Sequence, residues 1–361
     1  LKDFLKRNPN WPKELEIKKK IESSISISSN SKEVLEWYSI NKPITVKGSI
    51  DHLEHKLLNG FTENKIQMIR DIWVNKNLTY KQQRYFIKKY NKYWTNEDNW
   101  KRFDRLMWEG KTVSAKRTLL RIKGDYRKLG EARLALSSRA GNVSSLIKKV
   151  PNYLKNDPGL IYERMRWRRK AKLETAEEFL INPPEGIKNH RNWWINARVV
   201  IRRLITKKNY TKAYTLLSNH SLPVDSISGA EAEWLTGWVA LTFLNKPKKA
   251  ADHFGILFNN VSHPSSKSKA SFWLAKAIES SEQLKEDSNN WYEESSNYLY
   301  SFYGQNASLK LGDFKFKIEK INTKRPEGYN HIFEIIEFLN EARESRRLFP
   351  FLRKALEMAK T

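Results

Sequence analysis

The chain has 361 residues, with 67 Lys plus Arg against 40 Asp plus Glu, a formal charge of +27 and no cysteine. The missing cysteine excludes disulfides, thiolate metal sites and cysteine nucleophiles, and no apolar run approaches the ~20 residues that a helical membrane span demands. Aromatic residues make up 12% of the chain, enough to bury a core despite 30% charged residues, while the excess of cations calls for an anionic partner or a solvated, lysine-rich surface.

Glycine is scarce, at 14, and the alternation of strands is nearly absent, so an all-α fold is expected. The first helix leads into residues 23–31, a polar linker whose first seven residues include five serines. The first clear hairpin follows. Trp100, Phe103, Leu106 and Met107 share one helical stripe, Gly110 breaks it, and Ala115 with Leu119-Leu120 opens a second helix. Residues 164–169 are followed in the same way by Ala176 and Phe179-Leu180, up to a break at Pro183-Pro184. Residues 201–205 precede Lys208-Asn209-Tyr210, then Ala213 and Leu216-Leu217, with a break at Leu222-Pro223. The stripe Trp234, Leu235, Trp238, Leu241 and Leu244 precedes Asn245, Ala250 and Phe254, with a further break at His263-Pro264.

Ala176, Ala213 and Ala250 stand 37 residues apart, which falls in the tetratricopeptide-like range. A small residue early in the second helix lets the two helices of a hairpin approach, and large residues one turn on fill the gap to the next hairpin. Such hairpins bury both faces only by stacking. The expected architecture is therefore an all-α superhelical solenoid of stacked αα-hairpins, horseshoe or ring shaped, over residues 1–314. A charged, proline-containing stretch at 315–328 separates it from a last helical pair beginning near Ile332, so residues 315–361 form the truncated start of a linker region. The chain opens on Leu1 without a cationic and apolar signal segment and stops at Lys360-Thr361 within a helical pattern, so a fragment of a longer polypeptide is expected.

Little in the sequence points to chemistry. Seven histidines are scattered, and only His52 and His55 share a helical face; without a third ligand at suitable spacing they read as a solvated pair. Phosphate loops, nucleophile elbows and His-Glu-x-x-His helices are absent from the sequence. Most of the 13 tryptophans, among them Trp94, Trp108, Trp167, Trp234 and Trp238, sit at helical spacing and are assigned to packing. Adjacent Trp193 and Trp194 cannot share one core stripe, so one of them is expected to face solvent as a candidate sugar platform. Arg164, Arg166, Arg168, Arg169, Lys170 and Lys172 surround Trp167 on one helix. They form either a solvated outer face or a patch for anionic glycan. The candidate glycan-binding set is Arg164, Arg166, Arg168, Arg169, Trp193 and Trp194, with no catalytic residue, no metal site and no cofactor assigned.

Five stretches then fall in a recognisable order. They are Phe4-Leu5 with Asn8-Pro9-Asn10-Trp11-Pro12; Tyr93-Trp94-Thr95-Asn96-Glu97-Asp98 with Arg102-Phe103-Asp104-Arg105-Leu106-Met107-Trp108-Glu109-Gly110; Asn156-Asp157-Pro158-Gly159-Leu160-Ile161-Tyr162-Glu163-Arg164 with Arg166-Trp167-Arg168-Arg169; Ala230-Glu231-Ala232-Glu233-Trp234-Leu235-Thr236-Gly237-Trp238-Val239-Ala240-Leu241; and Phe302-Tyr303-Gly304-Gln305. In this order the sequence resembles the superhelical domain of soluble lytic murein transglycosylases over nearly its whole length. The resemblance implies a periplasmic scaffold attached to a lysozyme-like catalytic domain. In that family one glutamate, as acid and then base, cleaves the glycan and leaves a 1,6-anhydromuramoyl end without metal or cofactor. The Glu-Ser and Gly-Leu-Met-Gln signature of that domain does not occur here. Glu344-Ser345 is followed instead by Arg346-Arg347-Leu348-Phe349, so this chain is expected to be non-catalytic.

The expected partners are thus peptidoglycan strands and the lysozyme-like domain of the same polypeptide. A basic helical-repeat binder of nucleic acid is the alternative, although the positions around Ala115, Ala176, Ala213 and Ala250 carry no repeated base-reading code. A protein adaptor is a third.

Overall fold

The computed structural model describes residues 1–9, 11–282, 284, 287–312 and 330–358. Asn10 of the opening motif and the expected separator at 315–328 lie outside the described residues. The helices in chain order are α1 (Lys2–Arg7), α2 (Glu14–Ser24), α3 (Ser31–Ile40), α4 (Val46–Leu58), α5 (Lys65–Asn75), α6 (Tyr80–Tyr90), α7 (Asn96–Trp108), α8 (Thr112–Leu119), α9 (Asp125–Ser138), α10 (Val143–Lys149), α11 (Pro158–Lys170), α12 (Glu178–Ile181), α13 (His190–Thr206), α14 (Tyr210–Ser218), α15 (Ile227–Leu244), α16 (Pro247–Asn260), α17 (Pro264–Glu279), α18 (Ser288–Ser296), α19 (Phe302–Lys310), α20 (Asn330–Glu341) and α21 (Ser345–Met358). Among the described residues there is no strand, and no helix is long and apolar enough to cross a membrane. The fold is all-α and solenoid-like.

The chain divides into two compact units. One comprises residues Leu1–Asp98 with the C-terminal helices α20 and α21. The serine-rich segment links α2 to α3 as expected, and Asn30 caps α3 by accepting from the amide of Lys32. The main core of this unit joins α4, α5 and α6 through Leu53, Ile69, Trp73 and Phe86, with Trp94 stacked on Trp73 at 4.3 Å. Glu54 is buried there and accepts hydrogen bonds from the Tyr85 and Tyr90 hydroxyls and from Lys89.

The second unit, Asn99–Lys317, holds the hairpins. From α13 to α19 each helix packs on the next, and α11 on α13, α13 on α15, α15 on α17 and α17 on α19 also touch. Contact at both the first and the second neighbour is what stacked hairpins require, because every helix must cover its hairpin partner and the hairpin beyond. The alanines that set the expected period, Ala176, Ala213 and Ala250, are all buried, the last two completely. Gly237 works on the facing helix in the same sense: a Cβ there would sit 2.7 Å from the Phe254 ring, so α15 and α16 approach closely only because it is glycine.

One hairpin departs from the pattern. After α11 the second helix shrinks to a 3₁₀ turn, Glu174–Glu177, and the four-residue α12. Asn182 precedes Pro183-Pro184, and a residue before proline is driven out of the helical region, so the helix stops there. The hairpin α9–α10 and the helices α17 and α18 show no such period in the sequence, because their apolar residues are interrupted by serine and lysine.

Candidate functional site

Helix α11 runs through the centre of the charged chemistry in the second unit. Its N-terminus is built for closure. Asp157 caps the helix by accepting from the Leu160 amide at 2.8 Å, and Pro158 takes the first helical position, where no amide donor is needed. Next to this cap lies Arg133 of α9, whose side chain is 1% exposed. Its Nη1 donates to Asp104 of α7 at 2.7 Å and lies 3.5 Å from Asp157. Lys188, in the loop before α13, donates to the other Asp104 oxygen at 2.5 Å. Burial opposes the charge on Asp104, but Arg133 and Lys188 outweigh it and hold the carboxyl below the usual carboxylate range. For Asp157 burial wins over Arg133 and the helix amides, and its carboxyl is raised. A Cβ on Gly159 would stand 2.2 Å from the Arg133 guanidinium, so only glycine fits in this turn.

The C-terminal half of α11 is different. Arg166 donates to Glu163 at 3.1 Å and to Ser137 of α9 at 3.4 Å. Burial raises the Glu163 carboxyl, with Arg166 and Arg133 opposing. Arg169 donates through Nε to Asn196 of α13 at 2.9 Å, and among the described residues its terminal amino groups have no partner. Asn196, 5% exposed, is itself fixed, since its Nδ2 donates to the Asn192 carbonyl at 2.7 Å. Lys170 has no acid partner among the described residues. Arg166, Arg169 and Lys170 line a cleft of about 310 Å³ with Asn192, Asn196 and Tyr162. Trp108 stacks on Tyr162 at 4.9 Å beneath it.

The electrostatics of this end are one-sided. Repulsion from Arg166, then burial, Arg139 and Arg169, pulls the Lys170 amine below its ordinary value. Burial, followed by Arg203 and Arg166, does the same to Arg169. Three cations of α11, Arg166, Arg169 and Lys170, thus line the cleft with Glu163 as its one acid, and Arg139 and Arg203 add repulsion from nearby. A helix C-terminus favours cations by about 0.3–1 kcal/mol, which offsets only part of such crowding.

The candidate residues separate accordingly. Arg166 and Arg169 meet in the cleft. Arg164 and Arg168 turn to the opposite side, where their guanidinium groups lie 5.0 and 4.9 Å from the Phe179 ring centroid and Arg168 also bonds Glu178 at 2.6 Å. The expectation that one of Trp193 and Trp194 faces solvent is corrected: they are 1% and 3% exposed. Helix α13 has neighbours on several sides, α11, α14 and α15, so residues 100° apart are both covered. Trp194 donates to Glu231 of α15 at 2.7 Å. His52 and His55 are likewise not solvated. His55 is fully buried between Ser31 and the Ser26 carbonyl, and His52 stacks on Tyr38 at 4.7 Å, with burial and Lys56 lowering it to about 4. No cluster of metal-ligating side chains occurs among the described residues. Glu344 is exposed, with Arg347 at 3.9 Å, so it does not sit in the partly apolar cleft that acid catalysis by a carboxyl requires.

Sequence reasoning missed two further polar sites. Glu233 accepts from His253 at 2.6 Å and from His220 at 3.1 Å. The His220 Nδ1 accepts from the Leu222 amide, which leaves the proton on Nε2 for Glu233. Burial opposes that carboxylate, but the two imidazoles hold it down at about 2. Lys269 of α17 lies 3.6 Å over the Trp234 ring, and burial lowers it to about 8 against the pull of Glu231. Both involve residues far apart in sequence, which no local spacing brings together.

Comparison with family models, curated proteins and solved structures finds no match to this chain.

Proposed function

We propose that this chain is the superhelical scaffold of a lytic transglycosylase, which holds peptidoglycan strands in the periplasm for a lysozyme-like domain of the same polypeptide. Cleavage belongs to that domain; the scaffold supplies binding and position. The observation that carries this is the convergence of the motifs. Asp104, from the second of the five ordered stretches, and Asp157 and Gly159, from the third, meet around Arg133 in one buried cluster. Trp108 and Tyr162, from the same two stretches, stack on each other. Residues that carry the resemblance therefore act as one packing unit, as they would if the likeness were of fold and not of composition. The open cationic cleft on α11 supplies a surface for an anionic polymer.

The test is cosedimentation of the whole chain with purified sacculi. Retention should fall with added salt, an RNA of equal charge should compete poorly, and no anhydromuropeptides should be released. Retention on RNA equal to or tighter than on sacculi would instead favour the nucleic-acid binder.

A further inference from the structure

We infer that Arg169, Arg166 and Lys170 form an oxyanion subsite in the α11 cleft that takes a carboxylate of a peptidoglycan stem peptide. The choice of ligand rests on the proposed function above; the subsite itself rests on geometry.

A guanidinium recognises a carboxylate best when its planar fork is presented with two donors free. Arg169 meets this condition. Its Nε is committed to Asn196, which fixes the plane of the group, and its two terminal amino groups are unused among the described residues. Asn196 cannot turn away, because its amide is bound to the Asn192 carbonyl at 2.7 Å and lies 3.5 Å from the Tyr162 hydroxyl. The fork is therefore oriented before any ligand arrives, and little ordering cost remains at binding. Lys170 supplies a second cation, with no acid partner among the described residues, and Arg166 a third whose charge is partly met by Glu163. A cleft of about 310 Å³ admits a carboxylate with part of the chain that carries it. Glu163 at its edge makes a singly charged, flat anion a better match than a doubly charged phosphate. Arg164 and Arg168 play no part, since Phe179 and Glu178 occupy them on the other side of the helix.

The experiment measures the affinity of the full chain, by titration calorimetry at low salt, for a disaccharide tetrapeptide with free carboxylates and for the same compound amidated at every carboxyl. Wild type should bind the free acid at least tenfold tighter. The preference should vanish in Arg169→Gln, fall about threefold in Lys170→Gln and persist in Arg164→Gln. Lys170 is exposed and has no acid partner among the described residues, so its variant guards against a folding defect in Arg169→Gln, and the thermal midpoint of each is measured alongside. Equal affinity of wild type for the two compounds overturns the subsite and leaves glycan binding standing. Failure to bind either compound overturns the glycan proposal and with it the ligand assigned here. In that case, chemical-shift changes with inorganic phosphate that are lost in Arg169→Gln would retain an oxyanion site of another source, and their absence would remove the site as well.

Discussion

The two ends of helix α11 use the same residue types for opposite purposes. At the N-terminus, the buried Arg133 meets Asp104 and Asp157, the exposed Lys188 reaches Asp104 from the surface, and every charge is answered. Twelve and thirteen residues from the cap, Arg169 and Lys170 are left with donors unused among the described residues. A closed network fixes the relative places of α7, α9 and α11, whereas an open one stores a field that only a ligand can relieve. Basic residues in this protein are thus read not by their number but by whether an acid has been placed beside them.

Substitutions can break or sharpen that contrast. The largest effect is expected from Arg133→Met, which leaves the partly buried Asp157 without its cation and the buried Asp104 with Lys188 alone. Removing one partner of a buried pair costs about 3–5 kcal/mol, to be read from urea unfolding. Gly159→Ala drives a methyl into the pinned guanidinium and should cost about 2 kcal/mol by the overpacking scale. Glu233→Gln tests closure at a site away from α11. The folded carboxyl titrates at about 2 against an ordinary 4.5, so its contribution is complete above pH 4.5 and is lost as pH falls toward 2. The variant should be about 2 kcal/mol less stable at pH 7, and the deficit should close in strong acid. Lys269→Met should act in reverse: a lysine lowered to about 8 is penalised while charged, so the variant gains about 1 kcal/mol at pH 7, after allowing for the exposed share of the amine. The smallest effect belongs to the open end. Lys170→Gln relieves repulsion from Arg166 and should raise stability by about 0.3 kcal/mol, discounted for exposure. A loss above 1 kcal/mol there would mean that this end is closed too.

The sequence made the hairpins legible where a small residue and a large one recur four apart, as at Ala213 with Leu217 and Ala250 with Phe254. It failed at α12, where a proline pair truncated the repeat, and at Trp193-Trp194, because a stripe argument supposes one covered face and α13 has more. The basic run on α11 was visible as composition, but its division was not. Which arginine is answered depends on Phe179, Glu178 and Asn196, brought there by other helices. Arg133 carried no signal at all, since a single arginine inside an amphipathic helix reads as surface until Asp104 and Asp157 are seen beside it.

The most direct test of the open cleft is the salt dependence of sacculus binding by wild type and by the triple variant Arg166→Gln, Arg169→Gln, Lys170→Gln. If the cleft holds the anionic strand, the slope of log affinity against log salt is shallower in the triple variant, with an unchanged fold by circular dichroism. An identical slope and affinity in the two proteins would contradict it.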